Sequence, residues 1–369
     1  MTIQQLKITN FRNIASADIY PTAGVNLLVG ENASGKTSIL EAIYLLSMVR
    51  SFRSKKIKSL IQHATEQFTV FGSIAAESGN SYSLGVQRHQ QSADTEILFR
   101  GQKPAGVAEV TAALPVQLIN PDAFRLLEGS PKDRRQFLDW GVFHVEHSFI
   151  DCWKRFQRAL KQRNSLLRHG RIDQLEMSLW EKELSENGEK ITALREEYLT
   201  SLKPLFAELL DKFLGLDNLT LSFQRGWDKN VDLVESLFLS RTKDREQGFT
   251  QAGPQRADVR VAVNGYTAMD ILSRGQQKLV VSALKLAQGA LLSQARGKQC
   301  VYLIDDLPAE LDKQHRKVFC EVLEKQSGQV FITGVDAEAL AEGWLNPDSI
   351  SWFHVEQGQV SPKPHLGSE

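Results

Sequence analysis

The chain has 369 residues, and its 44 lysines and arginines equal its 44 aspartates and glutamates in number. A chain of this length can form two or three domains with their own cores, and the balanced charge requires any surface for nucleic acid or membrane to be local. Apolar runs stay well below the ~18 residues of a membrane span, the first residues lack a signal-peptide pattern and the three cysteines are far apart. We therefore expect a cytoplasmic protein with no membrane partner and no disulfide framework.

The first elements predict a nucleotide-phosphate site. Residues 3–11 alternate between apolar and polar and predict a strand, the apolar run 25–29 predicts a second strand, and residues 38–46 have helical spacing. The segment before this helix matches G-x-x-x-x-G-K-[ST] and consists of Gly30, Glu31, Asn32, Ala33, Ser34, Gly35, Lys36 and Thr37. In this context the backbone N–H groups wrap a phosphate, Lys36 reaches the β and γ phosphates, and the Thr37 hydroxyl coordinates Mg²⁺.

A basic stretch and then a run of strands follow the phosphate site. The cations of this stretch are Arg50, Arg53, Lys55, Lys56 and Lys58. A solvated loop and a contact to the phosphate backbone of DNA both explain this charge, and the sequence leaves the two open. From residue 68 to residue 99 the pattern has period two, which predicts an antiparallel meander packed on the nucleotide-binding core.

Residues 124–245 predict a compact helical arm. Residues 175–214 are expected to form helix with a break near Pro204, and the segment is too interrupted for a long coiled coil. Residues 150–168 carry an apolar stripe, and cations bias the rest of that helix: Lys154, Arg155, Arg158, Lys161, Arg163 and Arg168. This basic helix is either a solvated face or a DNA surface, and both interpretations remain open.

The last third alternates between strands and helices. We predict strands at 259–263, 301–304 and 330–333, helices at 275–292 and 312–326, and a hairpin at 352–360. This alternation indicates an α/β protein with a parallel sheet, and the arm interrupts that core. The predicted domains are an N-terminal ATPase part at 1–123, the arm at 124–250 and a C-terminal ATPase part at 251–369.

Two further segments carry chemistry. Asp305 and Asp306 end a predicted strand, where α/β sheets bind ligands, so we assign Asp305 to the Mg²⁺ shell and Asp306 to polarising the attacking water. Ser273 would cap a helix whose free N–H groups present another anion site. Since one chain rarely folds two such distant sites onto one phosphate tail, we expect a symmetric dimer that holds each nucleotide between loop 30–37 of one copy and segment 272–276 of the other.

Segments spread over the whole chain match a known family. They are Asn10 to Asn13, the phosphate loop, Phe52 to Ser54, Arg134 to Trp140, Lys161 to Asn164, Gly253-Pro254, Leu272 to Gln276, and Asp305-Asp306 with Glu310, Leu311 and Asp312. With these residues the chain resembles the RecF family of bacterial recombination mediators, which is related to SMC-type chromosome proteins and to ABC ATPases. The resemblance implies an α/β fold: an ABC-type P-loop ATPase head, with a mixed sheet, an antiparallel meander and an inserted helical arm.

The resemblance also assigns individual residues. It places in the nucleotide pocket Arg12, Asn32, Gly35, Lys36, Thr37 and Ser38. It assigns Ser273 and Gly275 to the signature that reaches the nucleotide of the partner copy, and Gln117 to a loop that contacts the nucleotide. The catalytic roles fall to Asp306 and Lys36, the magnesium position to Asp305, and the segment called the D-loop contains Asp312.

The function that the resemblance implies is ATP-dependent DNA binding in recombinational repair and replication restart, including gap repair and SOS induction. It implies an ATP-dependent homodimer, binding to single-stranded, gapped or junction DNA, and mediator partners of the RecR and RecO type that aid recombinase loading. ABC transporters usually carry Glu and His where this chain has Asp306 and Thr333. Because Asp is one methylene shorter, we expect a slow, DNA-stimulated ATPase that serves as a switch.

Other functions fit parts of the pattern. The ATPase subunit of a membrane transporter would share the phosphate loop, but transporter ATPases place the signature much closer to it than Ser273 is to Lys36. A P-loop kinase or GTPase would leave the signature serine without a role, and no N-K-x-D guanine motif is present. His144 and His147 have the spacing of a metal pair, but no third ligand is evident, which favours ordinary surface or core histidines.

Overall fold

The computed structural model describes residues 1–76, 79–92, 94–168, 173–216, 218–306 and 311–363. Its strands, in chain order, are β1 Thr2–Phe11, β2 Ile14–Ile19, β3 Val25–Val29, β4 Gln67–Ala75, β5 Ser81–His89, β6 Glu96–Phe99, β7 Val116–Ile119, β8 Leu219–Gln224, β9 Asp258–Val263, β10 Tyr266–Thr267, β11 Val301–Ile304, β12 Gln329–Gly334, β13 Ser351–Glu356 and β14 Gln359–Lys363. Its helices are α1 Lys36–Met48, α2 Val107–Ala113, α3 Arg125–Glu128, α4 Pro131–Val145, α5 Phe149–Arg168, α6 Gln174–Leu214, α7 Leu233–Gln247, α8 Ala268–Ile271, α9 Arg274–Arg296, α10 Lys313–Lys325 and α11 Ala337–Ala341. None of these helices is both long and apolar enough to cross a membrane.

The chain divides into two compact units. The first contains Met1–Ala123, Lys212–Leu214 and Lys278–Glu369, and the second contains Phe124–Asp211 and Gly215–Gln277. The predicted C-terminal ATPase part began at residue 251, but residues 251–277 group with the helical unit. The reason is strand pairing, because β9 pairs with β8 along its whole length in one antiparallel sheet of order β10-β9-β8.

The first unit contains the predicted mixed α/β core. Its six-stranded sheet has the order β14-β13-β3-β12-β11-β7, in which β13, β3, β12, β11 and β7 run parallel and β14 closes the C-terminal hairpin. Every residue of β3 and of β11 is buried, as expected for strands covered on both faces. This sheet brings the ends of β3, β11 and β12 to one edge.

A second, antiparallel sheet in the same unit has the order β2-β1-β4-β5-β6 and contains the predicted meander. The strand predicted at residues 3–11 is β1, which belongs to this antiparallel sheet rather than to the parallel sheet and pairs with β2 and β4. Its alternating burial shows the difference from the continuously buried β3. The sequence analysis also missed β2, because its turn uses Arg12 at a φ of 54° rather than the glycine that marks most tight hairpins.

The second unit is built on helices α4 to α7. The break predicted at Pro204 is wrong, since α6 continues through it from Gln174 to Leu214. An interior proline removes a helical hydrogen bond at a cost of about 3 kcal/mol. Buried Leu202 and Phe206 on either side of Pro204 hold the helix in its path. Tertiary packing thus outweighs the local penalty.

Arg163 on α5 is fully buried, although the sequence pattern groups it with the surface cations of that helix. Its Nη1 donates to Asp244 Oδ2 at 2.7 Å and to Thr250 Oγ1 at 2.8 Å, and its Nε donates to Glu181 Oε1 at 3.1 Å. The arginine therefore ties α5 to α6 and to α7 inside the second unit.

We predict that Arg163→Met destabilises this unit strongly. The substitution keeps the aliphatic volume but leaves buried Asp244 without its cation, and breaking such a pair costs about 3–5 kcal/mol. Urea unfolding followed by tryptophan fluorescence measures the change in midpoint. Arg155→Met, on the exposed side of the same helix, is the matched control, and equal midpoints for the two variants would contradict the prediction.

Candidate nucleotide site

The phosphate loop lies between β3 and α1, and two of its positions require glycine. A Cβ at Gly30 would lie 2.0 Å from the carbonyl oxygen of Val355, so no side chain fits there. Gly35 has a φ of 121°, which residues with side chains rarely adopt, and a Cβ would lie 3.1 Å from Asn13. The loop therefore has the close backbone that a phosphate cradle needs, and α1 begins at Lys36, directly after Gly35.

The Lys36 ammonium closes this loop. Its Nζ donates to the carbonyl oxygens of Gly30 and Glu31, each at 2.7 Å, and the residue is only 8% exposed. Burial lowers the pKa of Lys36, and this effect outweighs the neighbouring Asp306 and Asp305 carboxylates, which raise it. A compact cation in a loop of backbone donors is suited to bind phosphate oxygens.

Asp305 and Asp306 lie at the carboxyl end of β11, beside this loop. The Thr37 hydroxyl donates to Asp305 Oδ1 at 2.9 Å, and the Thr333 hydroxyl donates to the same oxygen at 2.8 Å. The Thr333 hydroxyl also accepts from the backbone N–H of Asp306 at 2.8 Å, where the backbone has a φ of 59°. Thr333, on β12, thus connects the two aspartates.

These groups fit the predicted Mg²⁺. Magnesium prefers oxygen ligands, often one or two protein groups beside phosphate oxygens and water. The Thr37 hydroxyl and the Asp305 carboxylate provide two such oxygens within hydrogen-bonding distance of each other. The pair would hold the ion, which would supply charge stabilisation on the phosphates.

A cavity of about 750 Å³ contains this arrangement, a size typical of a small-ligand site. It is lined by the predicted residues Arg12, Asn32, Ala33, Ser34, Gly35, Lys36, Thr37, Ser38, Asp305 and Asp306. It is also lined by seven residues that were not predicted to lie in the nucleotide pocket, namely Asn13, Arg53, Ser59, Ile61, Pro121, Thr333 and Val335.

Arg12 is fixed at the cavity by a carboxylate that the sequence analysis missed. Its Nε and Nη2 donate to the two oxygens of Glu41 at 2.9 and 2.8 Å. Glu41 is completely buried, and it also accepts from the Ser51 hydroxyl and lies 3.8 Å from Arg53 Nη1. A charged residue four positions after Thr37, inside an otherwise apolar helix, was the available signal for this role.

Asn13 stabilises the loop from outside it. The Ser38 hydroxyl donates to Asn13 Oδ1 at 2.8 Å, and Asn13 Nδ2 donates to the carbonyl oxygen of Ala33 at 3.2 Å. This residue follows Arg12 in the segment that carries the family resemblance, but nothing in its sequence spacing pointed to the loop. The contacts arise only because the turn from β1 to β2 packs against residues 33–38.

The structure places Gln117 away from the cavity, which corrects its predicted contact with a nucleotide. Gln117 lies within β7, is 1% exposed, and donates from Nε2 to Gln288 Oε1 at 3.0 Å. The alternation of the strand turns this side chain toward α9 rather than toward the loops at the end of the sheet.

The predicted signature lies in the second unit, at the start of α9. Ser273 and Gln276 form a reciprocal cap, in which Gln276 N donates to Ser273 Oγ at 3.3 Å and Ser273 N donates to Gln276 Oε1 at 2.9 Å. Ser273 and Gly275 are exposed, and Arg274 forms an ion pair with Glu128. The signature is therefore a capped, solvent-accessible helix start.

The remaining predicted residues have the following positions. Lys55, Lys56 and Lys58 are exposed, whereas the half-exposed Arg53 lines the nucleotide cavity. Asp312 caps α10 by accepting from His315 N at 3.0 Å, and Glu310 lies outside the described residues. Arg53 is therefore a residue of the cavity lining, which does not include the three lysines.

The fold is that of an ABC-type P-loop ATPase head, the class found in SMC proteins. Its defining features are the cavity and the two sheets of the first unit, together with the predicted signature at the start of α9. The family model described as RecF/RecN/SMC N terminal domain matches residues 2–360. The DNA replication and repair protein RecF of Pseudomonas aeruginosa strain LESB58 is 50% identical over 369 residues, covering 100% of both chains. That of Chromohalobacter salexigens is 51% identical over 360 residues, covering 98% of this chain and 99% of the relative. The chain belongs to the RecF family.

Solved structures agree with this family. A structure of the recombination mediator protein RecF with ATP, of the RecFOR pathway, has a TM-score of 0.86 and 27% identity, and covers 98% of this chain and 97% of the other. An Smc head bound to the C-winged helix domain of ScpA has a TM-score of 0.59 at 14% identity, with 99% of each chain covered, which shows the shared fold alone. The transporter alternative gains no support from these relatives.

We predict that Thr333→Val weakens the use of Mg²⁺ at this site. Valine keeps the approximate shape but removes the hydroxyl that positions Asp305 and the backbone of Asp306. Removing such an orienting partner costs roughly 10–100-fold in metal affinity. The measurement is a Mg²⁺ titration of the binding of a fluorescent ATP analogue. Thr333→Ser should restore the wild-type curve, and an unchanged curve for Thr333→Val would contradict the role.

Proposed function

We propose that this chain is an ATP-dependent DNA-binding protein of recombinational repair and replication restart in the cytoplasm. The observation that carries the proposal is the joint position of Lys36, Thr37, Asp305 and Asp306 around one cavity. Membership of the RecF family, whose structures include one with ATP, supports ATP as the nucleotide. The names of the relatives support a role in DNA replication and repair.

The residues of the first unit divide the work of the ATP site. The backbone of loop 30–37 and Lys36 hold the phosphates, and Arg12, fixed by Glu41, adds a second cation. Thr37 and Asp305 hold Mg²⁺, and Asp306 orients the attacking water and accepts its proton. Because the carboxylate of Asp306 is one methylene shorter than the glutamate of ABC transporters, hydrolysis is slow, and ATP acts chiefly as a switch.

ATP closes a homodimer in this proposal. The signature helix start is solvent-accessible and carries the Ser273 hydroxyl beside its first N–H groups, which are suited to bind a phosphate. Two copies related by a twofold axis each present one phosphate loop and one signature. Closure therefore forms two equivalent sites, each with the phosphate loop of one copy and the signature of the other. Binding energy from the γ-phosphate then shifts an open-closed equilibrium, and hydrolysis reverses it.

DNA and mediator proteins are the partners of the closed dimer. Single-stranded, gapped or junction DNA contacts Lys55, Lys56 and Lys58, whose exposed ammonium groups provide a phosphate-binding surface. Proteins of the RecR and RecO type act with the dimer in recombinase loading during gap repair and SOS induction. Arg53 lies outside this proposed DNA surface, because it lines the nucleotide cavity.

Ser273→Arg is expected to abolish ATP-dependent dimerisation while leaving ATP binding intact. The larger side chain blocks approach of the partner's phosphates but lies outside the phosphate loop of its own chain. Light scattering with and without ATP and Mg²⁺ gives the mass, and a fluorescent ATP analogue reports binding. Ser178→Arg, at an exposed serine on α6, is the control. A normal dimer in Ser273→Arg would remove the argument for a shared site.

Charge reversal at Lys55, Lys56 and Lys58 is expected to weaken DNA binding and reduce its salt dependence. Removing one lysine–phosphate interaction lowers the slope of log affinity against log salt by about 0.7–0.9. Fluorescence anisotropy with a gapped duplex measures both quantities between about 50 and 200 mM salt, a range over which three such contacts change the affinity by roughly 20–40-fold. An unchanged slope would return this segment to an ordinary solvated loop.

A further inference from the structure

The helix α5 has an unusual charge pattern. Residues 152–168 contain six cations and no acid, although the chain as a whole is neutral. Asp151 is the acidic residue of this helix. It lies in the first turn of α5, where its negative charge interacts favourably with the positive end of the helix dipole. Lys154 and Arg155 follow Asp151 by three and four residues, and the cations beyond them have no acidic neighbour along the helix.

The structure separates these cations into two groups. Arg163 is buried among carboxylates, on the same side as Phe156, Ala159 and Leu167. Four others are exposed and form the α5 cationic face, which consists of Lys154, Arg155, Arg158 and Lys161. The sixth, Arg168, is exposed at the end of the helix and donates from Nε to the carbonyl oxygen of Gly248 at 3.0 Å. At 100° per residue, Lys154, Arg158 and Lys161 lie within an arc of ~60° opposite the buried side.

The α5 cationic face is electrostatically unbalanced. Within the described residues, none of its four members forms an ion pair with a carboxylate. Lys154 and Arg158 are four residues apart, and Arg158 and Lys161 are three apart, so like charges repel along the helix. A polyanion bound to this face would relieve that repulsion.

Aromatic rings accompany the charges. The guanidinium of Arg158 lies 5.7 Å from the centroid of the Trp180 ring on α6, and the indole N–H of Trp180 donates to Glu176 at 3.3 Å. Trp153, beside Lys154, is 37% exposed. Exposed aromatic planes among cations are the features with which proteins hold unpaired bases and their phosphates together.

We propose that the α5 cationic face, with Trp153, binds single-stranded DNA. This inference rests on the proposed function, to which it adds a second DNA-contacting surface on the helical unit. From Lys154 to Lys161 the helix rises about 10 Å, which matches about three nucleotide steps at 3.4 Å each. The cations contact the phosphates, and Trp153 stacks on a base.

The test uses the full chain with ATP and Mg²⁺ and a fluorescein-labelled oligo(dT) strand. The variant is Lys154→Glu/Arg158→Glu/Lys161→Glu, and anisotropy titrations at several salt concentrations give its affinity and salt slope. We expect the affinity to fall roughly tenfold or more and the slope to fall by about two, since three cations contribute about 0.7 each. Trp153→Ala should lower the affinity without changing the slope.

A matched control reverses three exposed lysines elsewhere on the helical unit, namely Lys190→Glu, Lys203→Glu and Lys243→Glu. Because the net charge changes almost equally, only a local interaction with DNA distinguishes the two triple variants. Circular dichroism and thermal unfolding verify folding. Lys154→Gln/Arg158→Gln/Lys161→Gln, expected to show a smaller decrease in affinity, replaces the reversal variant if that variant is unfolded.

Several outcomes would overturn the inference: an unchanged affinity for oligo(dT), an equal decrease in the control, or a decrease confined to a duplex of the same length. If the wild-type chain itself fails to bind DNA in the presence of ATP, the proposed function fails instead. The two failures are therefore distinguished by the wild-type titration.

Discussion

The buried Lys36 ammonium is the constraint on which the rest of the site depends. It lies in a loop whose carbonyl oxygens at Gly30 and Glu31 it binds, and its burial lowers its pKa despite two nearby carboxylates. A buried cation is tolerated only where such partners compensate for the removal of water. The same loop passes the carbonyl oxygen of Val355 so closely that only glycine fits at position 30. The motif is thus a consequence of packing as much as of ligand chemistry.

The parallel sheet supplies what the loop alone lacks. Because β11 and β12 end at the same edge as β3, the carboxylate of Asp305 and the hydroxyl of Thr333 reach the first turn of α1. ABC transporters usually have a histidine at the position of Thr333. In this chain the Thr333 hydroxyl instead forms hydrogen bonds with two neighbouring groups, the Asp305 carboxylate and the backbone N–H of Asp306. The positions of Asp305 and Asp306 are therefore coupled through one side chain, so in the proposed function the magnesium ligand and the carboxylate that orients the water would be positioned together.

The sequence predicted the elements whose signal is local and continuous. The phosphate loop, the fully buried strands β3 and β11 and the meander all have a motif or a clear period. Elements set by distant contacts were not predictable in this way: β8 pairs with β9 more than thirty residues later, and the course of α6 through Pro204 depends on burial of its neighbours. Glu41 and Asn13 belong to the site through tertiary packing alone, so motif spacing could not assign them. Arg163 was misassigned because of its charge, although its spacing from Phe156 and Leu167 places it on the buried stripe of α5.

In the proposed dimer, the cap of α9 would leave the Ser273 hydroxyl of each copy available to the nucleotide of the partner copy. The Gln276 N–H reaches Ser273 Oγ at 3.3 Å, beyond the usual range of a strong hydrogen bond, so the hydroxyl is only weakly engaged as an acceptor. Its own proton stays available for a phosphate oxygen, and the Gln276 side chain holds the backbone N–H of Ser273 at 2.9 Å. The helix start is thereby kept in one conformation without consuming the donor that a ligand would need. A preorganised donor of this kind costs little to engage, so closure around a triphosphate can be driven by the phosphate contacts themselves.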